Sequence, residues 1–163
     1  MSKVSKQRQA LNKQLVYEFH RLVFAANTMV ANFAADLGIN DRDGDGLLLI
    51  WSSEISGEPI SPSELADGLH ITRAAASYLV DRLVDLGYVT RHLDPNDRRR
   101  SVLRIAEPDN EHRHDFTGSV DRNFTKVFQN RTNAELAAFT AMLADLVDNI
   151  GETRHLKQTK PNP

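Results

Sequence analysis

Nearly every apolar residue in this chain recurs at helical spacing, and one short central stretch does not. Leu15, Phe19, Leu22, Ala26, Met29 and Phe33 are spaced 4-3-4-3-4, which is one face of an α-helix. A helix over residues 8–36 would be about 43 Å long, more than a small globule needs. Its seam is expected to pack on another long helix or another subunit. A linker, Gly38-Ile39-Asn40, leads to a second helix over 41–55 buried around Leu47, Leu48, Ile50 and Trp51, and Gly57-Glu58-Pro59 breaks it.

Start and stop signals divide the next segment finely. Ser61 can cap, Pro62 suits a first helical position, and Glu64 closes a capping box. That short helix is expected to end at Gly68. Thr72 opens another, with Leu79, Val80, Leu83 and Leu86 on one side, and Gly87 stops it as a C′ glycine does. The period then changes. Residues 88–93 and 101–105 read as two short strands, joined by a polar loop, Asp94-Pro95-Asn96-Asp97-Arg98-Arg99-Arg100.

Helix returns after Pro108. Phe116, Val120, Phe124 and Phe128 repeat every four residues, with Gly118 allowing a bend. Thr132 to Glu135 forms a second capping box, opening a last helix with Leu136, Phe139, Leu143, Leu146 and Ile150 on one face. Gly151 is expected to end it, before a polar, disordered tail. The organisation is thus a mainly α chain with a small β-hairpin. A long N-terminal helix occupies 1–40, a helix-turn-helix with a hairpin wing 41–106, long C-terminal helices 107–151, and the tail 152–163.

Several chemistries are excluded or disfavoured. With no Cys there is no disulfide, no thiolate metal site and no thiol catalysis. No run of about 18 apolar residues exists to span a membrane, and the polar, basic start MSKVSKQRQALNK is no signal peptide. A cytoplasmic protein is expected. There is no nucleophile–base constellation and no glycine-rich phosphate loop, so the chain reads as a non-enzyme that needs no cofactor. His112 and His114, two apart, share no helix face. Asp41-x-Asp43-x-Asp45-Gly46 imitates the first half of a calcium-binding loop, but the twelfth position is Ser52 instead of a bidentate Glu. Acidic residues at the positive end of a helix dipole are the simpler reading.

What remains is a winged helix-turn-helix, whose second helix enters the DNA major groove. Opposite its apolar side lie Thr72, Arg73, Ala74, Ser77 and Tyr78. Arg73 can pair bidentately with guanine, and Ala74 can touch a thymine methyl. Thr72, at a helix N-terminus, and Arg82 suit phosphates. The whole chain carries a formal charge of −2, so any basic surface is local. From Arg91 to Arg104 there are five Arg against two Asp. A hairpin tip cannot bury Arg98, Arg99 and Arg100, which must meet solvent, carboxylates or phosphate. An Arg at a wing tip can enter a narrow minor groove, and Asp97 can brace its guanidinium.

These residues resemble the MarR family of bacterial transcriptional regulators. The matching stretches are SPSELADGLHITRAAASYLVDRLVDLGYVTR and DPNDRRRSVLRI, the second fitting the family's D-P-x-D-R-R before an alternating strand. With its flanking helices the resemblance spans about residues 8–150. It implies a homodimer joined by the terminal helices on an inverted-repeat operator in double-stranded DNA. It also implies Arg99 in the minor groove with Asp97 as its brace, Arg82 near phosphate, and Arg91 fixing the wing base; Arg98 and Arg100 are expected at phosphate from the charge of the hairpin. A lipophilic or aromatic effector that releases the DNA is implied too. Two features depart from the family. Ile105-Ala106-Glu107-Pro108-Asp109 replaces the usual L-T-x-x-G, and the Asp- and Gly-rich start of the second helix is expected to fray. A dimeric protein-interaction module with the same lobe is the alternative.

Overall fold

A computed structural model describes residues 3–94, 97–106 and 116–155. The chain divides into two compact units, 1–114 and 115–163. The first holds α1 (Lys3–Asp36), α2 (Asp41–Ile55), α3 (Pro62–Leu69), α4 (Arg73–Asp85), β1 (Val89–Leu93) and β2 (Ser101–Ile105). The second holds α5 (Phe116–Phe128) and α6 (Asn133–His155). Among the described residues no single helix is long and apolar enough to cross a membrane.

One core organises the first unit. Leu47 and Ile50 of α2, Leu65 of α3, Leu79, Val80 and Leu83 of α4, Val89 of β1 and Leu103 of β2 pack together. Fully burying each such side chain stabilises by roughly 1.5–3 kcal/mol. Leu48 and Trp51 are only partly buried, and Leu86, expected inside, is exposed as the C-cap of α4. Past it the chain turns at Gly87 with φ +70, and Tyr88 N–H closes the helix on Leu83 O at 2.8 Å.

The Asp- and Gly-rich start of α2 is not frayed. Asn40 caps it, accepting from Asp43 N–H at 3.0 Å and donating to the Asp43 carboxylate at 2.9 Å. Its glycines allow close approach. A Cβ at Gly44 would lie 3.0 Å from Ala34 Cβ on α1, and one at Gly46 would lie 2.9 Å from Leu79 Cδ2 on α4. The sequence shows glycine as a helix weakener; only the packing shows why it is here.

Gly68 does not end α3, which runs to Leu69. The left-handed cap is His70, at φ 54, and Ile71 N–H bonds Ala66 O at 3.0 Å. The Ser61–Glu64 capping box is present as expected. So are the two strands, paired antiparallel from Val89↔Ile105 to Leu93↔Ser101. Leu103 N–H also bonds Ile60 O at 2.8 Å, tying β2 to the α2–α3 connector.

Helix α1 starts earlier than residue 8 and spans 34 residues. It sits on α2 near its C-terminal end, where Val30 and Ala34 are buried. Leu11, Leu15, Tyr17, Leu22 and Phe24 are exposed within their unit. In the second unit, Thr132 and Glu135 form the expected capping box. Phe128 of α5 meets Phe139 of α6 with ring centroids 5.6 Å apart. Helix α6 passes through Gly151 to His155; one interior glycine costs about 1 kcal/mol and does not break it. The tail from 156, the side chains of Phe116 and Val120, and His112 and His114 lie outside the described residues.

Candidate nucleic-acid interface

The site begins at the N-terminus of α4. Thr72 caps that helix, its hydroxyl accepting from Ala75 N–H at 3.1 Å. Arg73, the first helical residue, donates to Ser63 Oγ on α3 at 2.7 Å, which holds its side chain between the two helices. Ala74, Ser77 and Tyr78 are exposed, Tyr78 to 75%. Ala76, Leu79, Val80 and Leu83 on the other side are buried, so all five residues expected at the major groove lie on the outer side of α4.

Arg82 lies one to two turns further on, and its partner is internal. Its Nε donates to Asp43 Oδ2 at 2.7 Å, and its Nη2 to Asp43 Oδ1. Asp43 is 1% exposed. The hydrogen bonds to Asp43 raise the Arg82 pKa further above its ordinary value. In the free chain this guanidinium answers a buried carboxylate; a phosphate contact was expected of it. The same pair removes Asp43 from any calcium loop. The sequence carries a faint signal of the cap, Asn40-x-x-Asp43, but none of the partner 39 residues on.

The wing carries the basic residues, and they divide sharply. Arg91 on β1 pairs with Asp81 of α4 at 2.5 Å, fixing the wing base. Arg104 on β2 faces Glu54 of α2 at 3.6 Å. Arg100, also expected at phosphate, donates to Asp94 at 2.9 Å and to Glu64 of α3. Behind it a cavity of about 490 Å³ is bounded by Pro59, Ile60, Glu64, Asp94, Arg100 and Val102, among others. Arg98 and Arg99 remain exposed at the turn, and among the described residues no carboxylate pairs with either guanidinium. Asp97 does not hold the Arg99 guanidinium as expected; its carboxylate accepts from the Arg99 backbone N–H at 3.0 Å.

Glu64 is the second group that the sequence under-read. Its capping role is visible in Ser61-x-x-Glu64; its contact with the wing is not. The hydrogen bonds from Ser61, then the Arg100 guanidinium, lower its pKa to about 2. Glu64 raises the Arg100 pKa in turn.

A polar helix face opening on a short turn, beside a hairpin whose tip holds two arginines with no carboxylate partner among the described residues, defines a winged helix-turn-helix. A MarR family model matches residues 53–100. Over 158 residues the chain is 30% identical to YcgE, an uncharacterised HTH-type transcriptional regulator of Bacillus subtilis (strain 168), covering 93% of this chain and 96% of that one. It is 23% identical to the HTH-type transcriptional repressor YetL of the same organism, covering 76% of this chain and 73% of YetL. The fold is similar to that of CouR from Rhodococcus jostii RHA1, solved bound to p-coumaroyl-CoA. There the TM-score is 0.53 and the identity 22%, covering 85% of this chain and 94% of CouR. The chain belongs to the MarR family of transcriptional regulators.

Proposed function

We propose that this protein is a homodimeric, sequence-specific DNA-binding repressor acting in the cytoplasm. The observation that carries the reading is the division of charge in the wing. Arg91, Arg100 and Arg104 face carboxylates of their own unit, while among the described residues no carboxylate faces Arg98 or Arg99 at the tip. In a chain with a formal charge of −2, two exposed arginines at the wing tip are a local basic surface that a polyanion would meet. Arg73, Ala74, Ser77 and Tyr78 then read base edges, and the N-terminus of α4 with Thr72 receives a phosphate. Arg99 enters the minor groove and Arg98 neutralises phosphate. Arg82 and Arg100 act within the protein.

The exposed apolar residues of α1 support a second copy as partner. Two copies would set their α4 helices about one DNA turn apart, on an inverted repeat. The name of YetL supports repression, and the ligand bound in the CouR structure supports an aromatic effector; on this reading that effector releases the DNA.

The test is fluorescence anisotropy with duplex DNA from upstream of the protein's own gene, beside a scrambled duplex, across a salt series. The reading expects on the order of 10³-fold tighter binding to the native duplex. Equal weak binding to both refutes autoregulation and calls for selection from a genomic library. No binding to either at low salt overturns the DNA reading and favours a protein partner.

A further inference from the structure

We propose that Arg100 is a positioning residue that latches the wing to α3 through Glu64 and Asp94, and so sets where Arg98 and Arg99 meet DNA. The proposal rests on the DNA-binding reading above and deepens it.

The loop between the strands is gathered at its base. Asp94 N–H bonds Arg100 O at 2.9 Å, and Arg100 N–H bonds Asp97 O at 2.9 Å. The Arg100 side chain then reaches out of the hairpin. Nη1 bonds Asp94, whose residue is only 8% exposed, and Nη2 bonds Glu64 and approaches Pro59 O at 3.4 Å. The Glu64 oxygen that receives Arg100 also accepts from Ser61 N–H at 2.7 Å and Ser61 Oγ at 2.8 Å. One carboxylate therefore fastens the first turn of α3 and the foot of the wing together. Helix α3 carries Ser63, which holds Arg73. The reading helix and the wing tip are thus oriented by the same short helix.

The physical need is plain. A two-stranded hairpin by itself is marginal in water, and ordering a loose, arginine-rich tip at the moment of binding weakens association. A latched tip is ordered beforehand.

Glu64→Gln separates the latch from simple charge. Gln keeps the capping box but gives up the charged partner of Arg100. Removing a negative charge beside a polyanion site should, by charge alone, tighten DNA binding. The latch predicts the opposite sign, about tenfold weaker binding. The probe is a duplex selected from a random-sequence library on the wild-type protein. Asp94→Asn should act in the same direction. In an Arg98→Ala/Arg99→Ala background the effect of Glu64→Gln should vanish, because the latch acts only through those two residues. Hydrogen exchange on the DNA-free protein gives a second readout. Amides of Arg99 and Arg100 should exchange faster in Glu64→Gln, with those of Leu79, Val80 and Leu83 unchanged. Unchanged or tighter DNA binding in Glu64→Gln overturns the proposal, whatever the exchange shows. So does an undiminished effect in the double-alanine background. A wild-type protein that selects no duplex instead overturns the function, and the latch's role in DNA binding with it.

Discussion

Asp43, in the first turn of α2, is closed off from water by the fork of Arg82, which approaches across 39 residues of sequence and meets both carboxylate oxygens. This pair joins the helix that packs on α1 to the helix that would read DNA. Only the carboxylate is buried; the Arg82 side chain is 49% exposed, so water can partly replace it. Arg82→Ala should therefore lower stability by about 1–3 kcal/mol, measured by urea unfolding at a fixed protein concentration. Arg82→Lys should recover only part of it, because an ammonium lacks the planar fork.

The same pair makes a prediction about salt. A residue that neutralises a phosphate adds about one to the slope of log affinity against log salt. Arg98→Ala should lower that slope by about one. Arg82→Ala, tested where it is still folded, should leave the slope unchanged. A lower slope for Arg82→Ala would return Arg82 to the phosphate-binding set.

Arg73 tests base reading. Its bond to Ser63 aims the guanidinium in the absence of DNA. Arg73→Ala should relax sequence preference at one position of each half-site, with about 1–3 kcal/mol of discrimination lost there. Selection from a randomised operator is the measurement. An unaltered preference profile refutes the role.

Gly44 tests the contact between α1 and α2. Gly44→Leu puts a branched side chain where Ala34 Cβ leaves room for little more than hydrogen. Overpacking of this kind costs about 1–3 kcal/mol, and here it should override the better helix propensity of Leu. The thermal midpoint should fall.

The depressed pKa of Glu64 fixes a pH window. Its folded value of about 2 lies below the ordinary value of 4.5, so its ionised form stabilises the fold fully above pH 4.5. That contribution fades as pH falls through this interval towards 2. Glu64→Gln should therefore narrow its stability gap to wild type between pH 4.5 and 2, and hold a constant gap above. Urea midpoints across that range give the comparison.

The elements of this fold were legible because their signals are local. Ser61-x-x-Glu64, Thr132-x-x-Glu135, Gly87 and the switch to alternation after Tyr88 each act within a few residues. Local signals also explain the errors. Gly68 and Gly151 look like helix ends, yet one lies against Leu49 and the other is simply tolerated. For the candidate site, the outer side of α4 follows from periodicity alone. The fates of the arginines do not. Arg98, Arg99 and Arg100 are consecutive and chemically identical, and only the approach of Glu64 and Asp94 separates the third from the first two. Asp43 was hidden for the same reason: its partner is distant in sequence.

The long first helix has one last consequence. Among the described residues α1 buries side chains within its unit only near its C-terminal end, at Val30 and Ala34. The turns before them leave Leu11, Leu15, Leu22 and Phe24 exposed within that unit. Helical segments without tertiary support are marginal. In the homodimer proposed above the second copy supplies that support, so on this reading dilution should melt this segment while the winged core stays folded. The far-ultraviolet signal of the protein would report its own concentration.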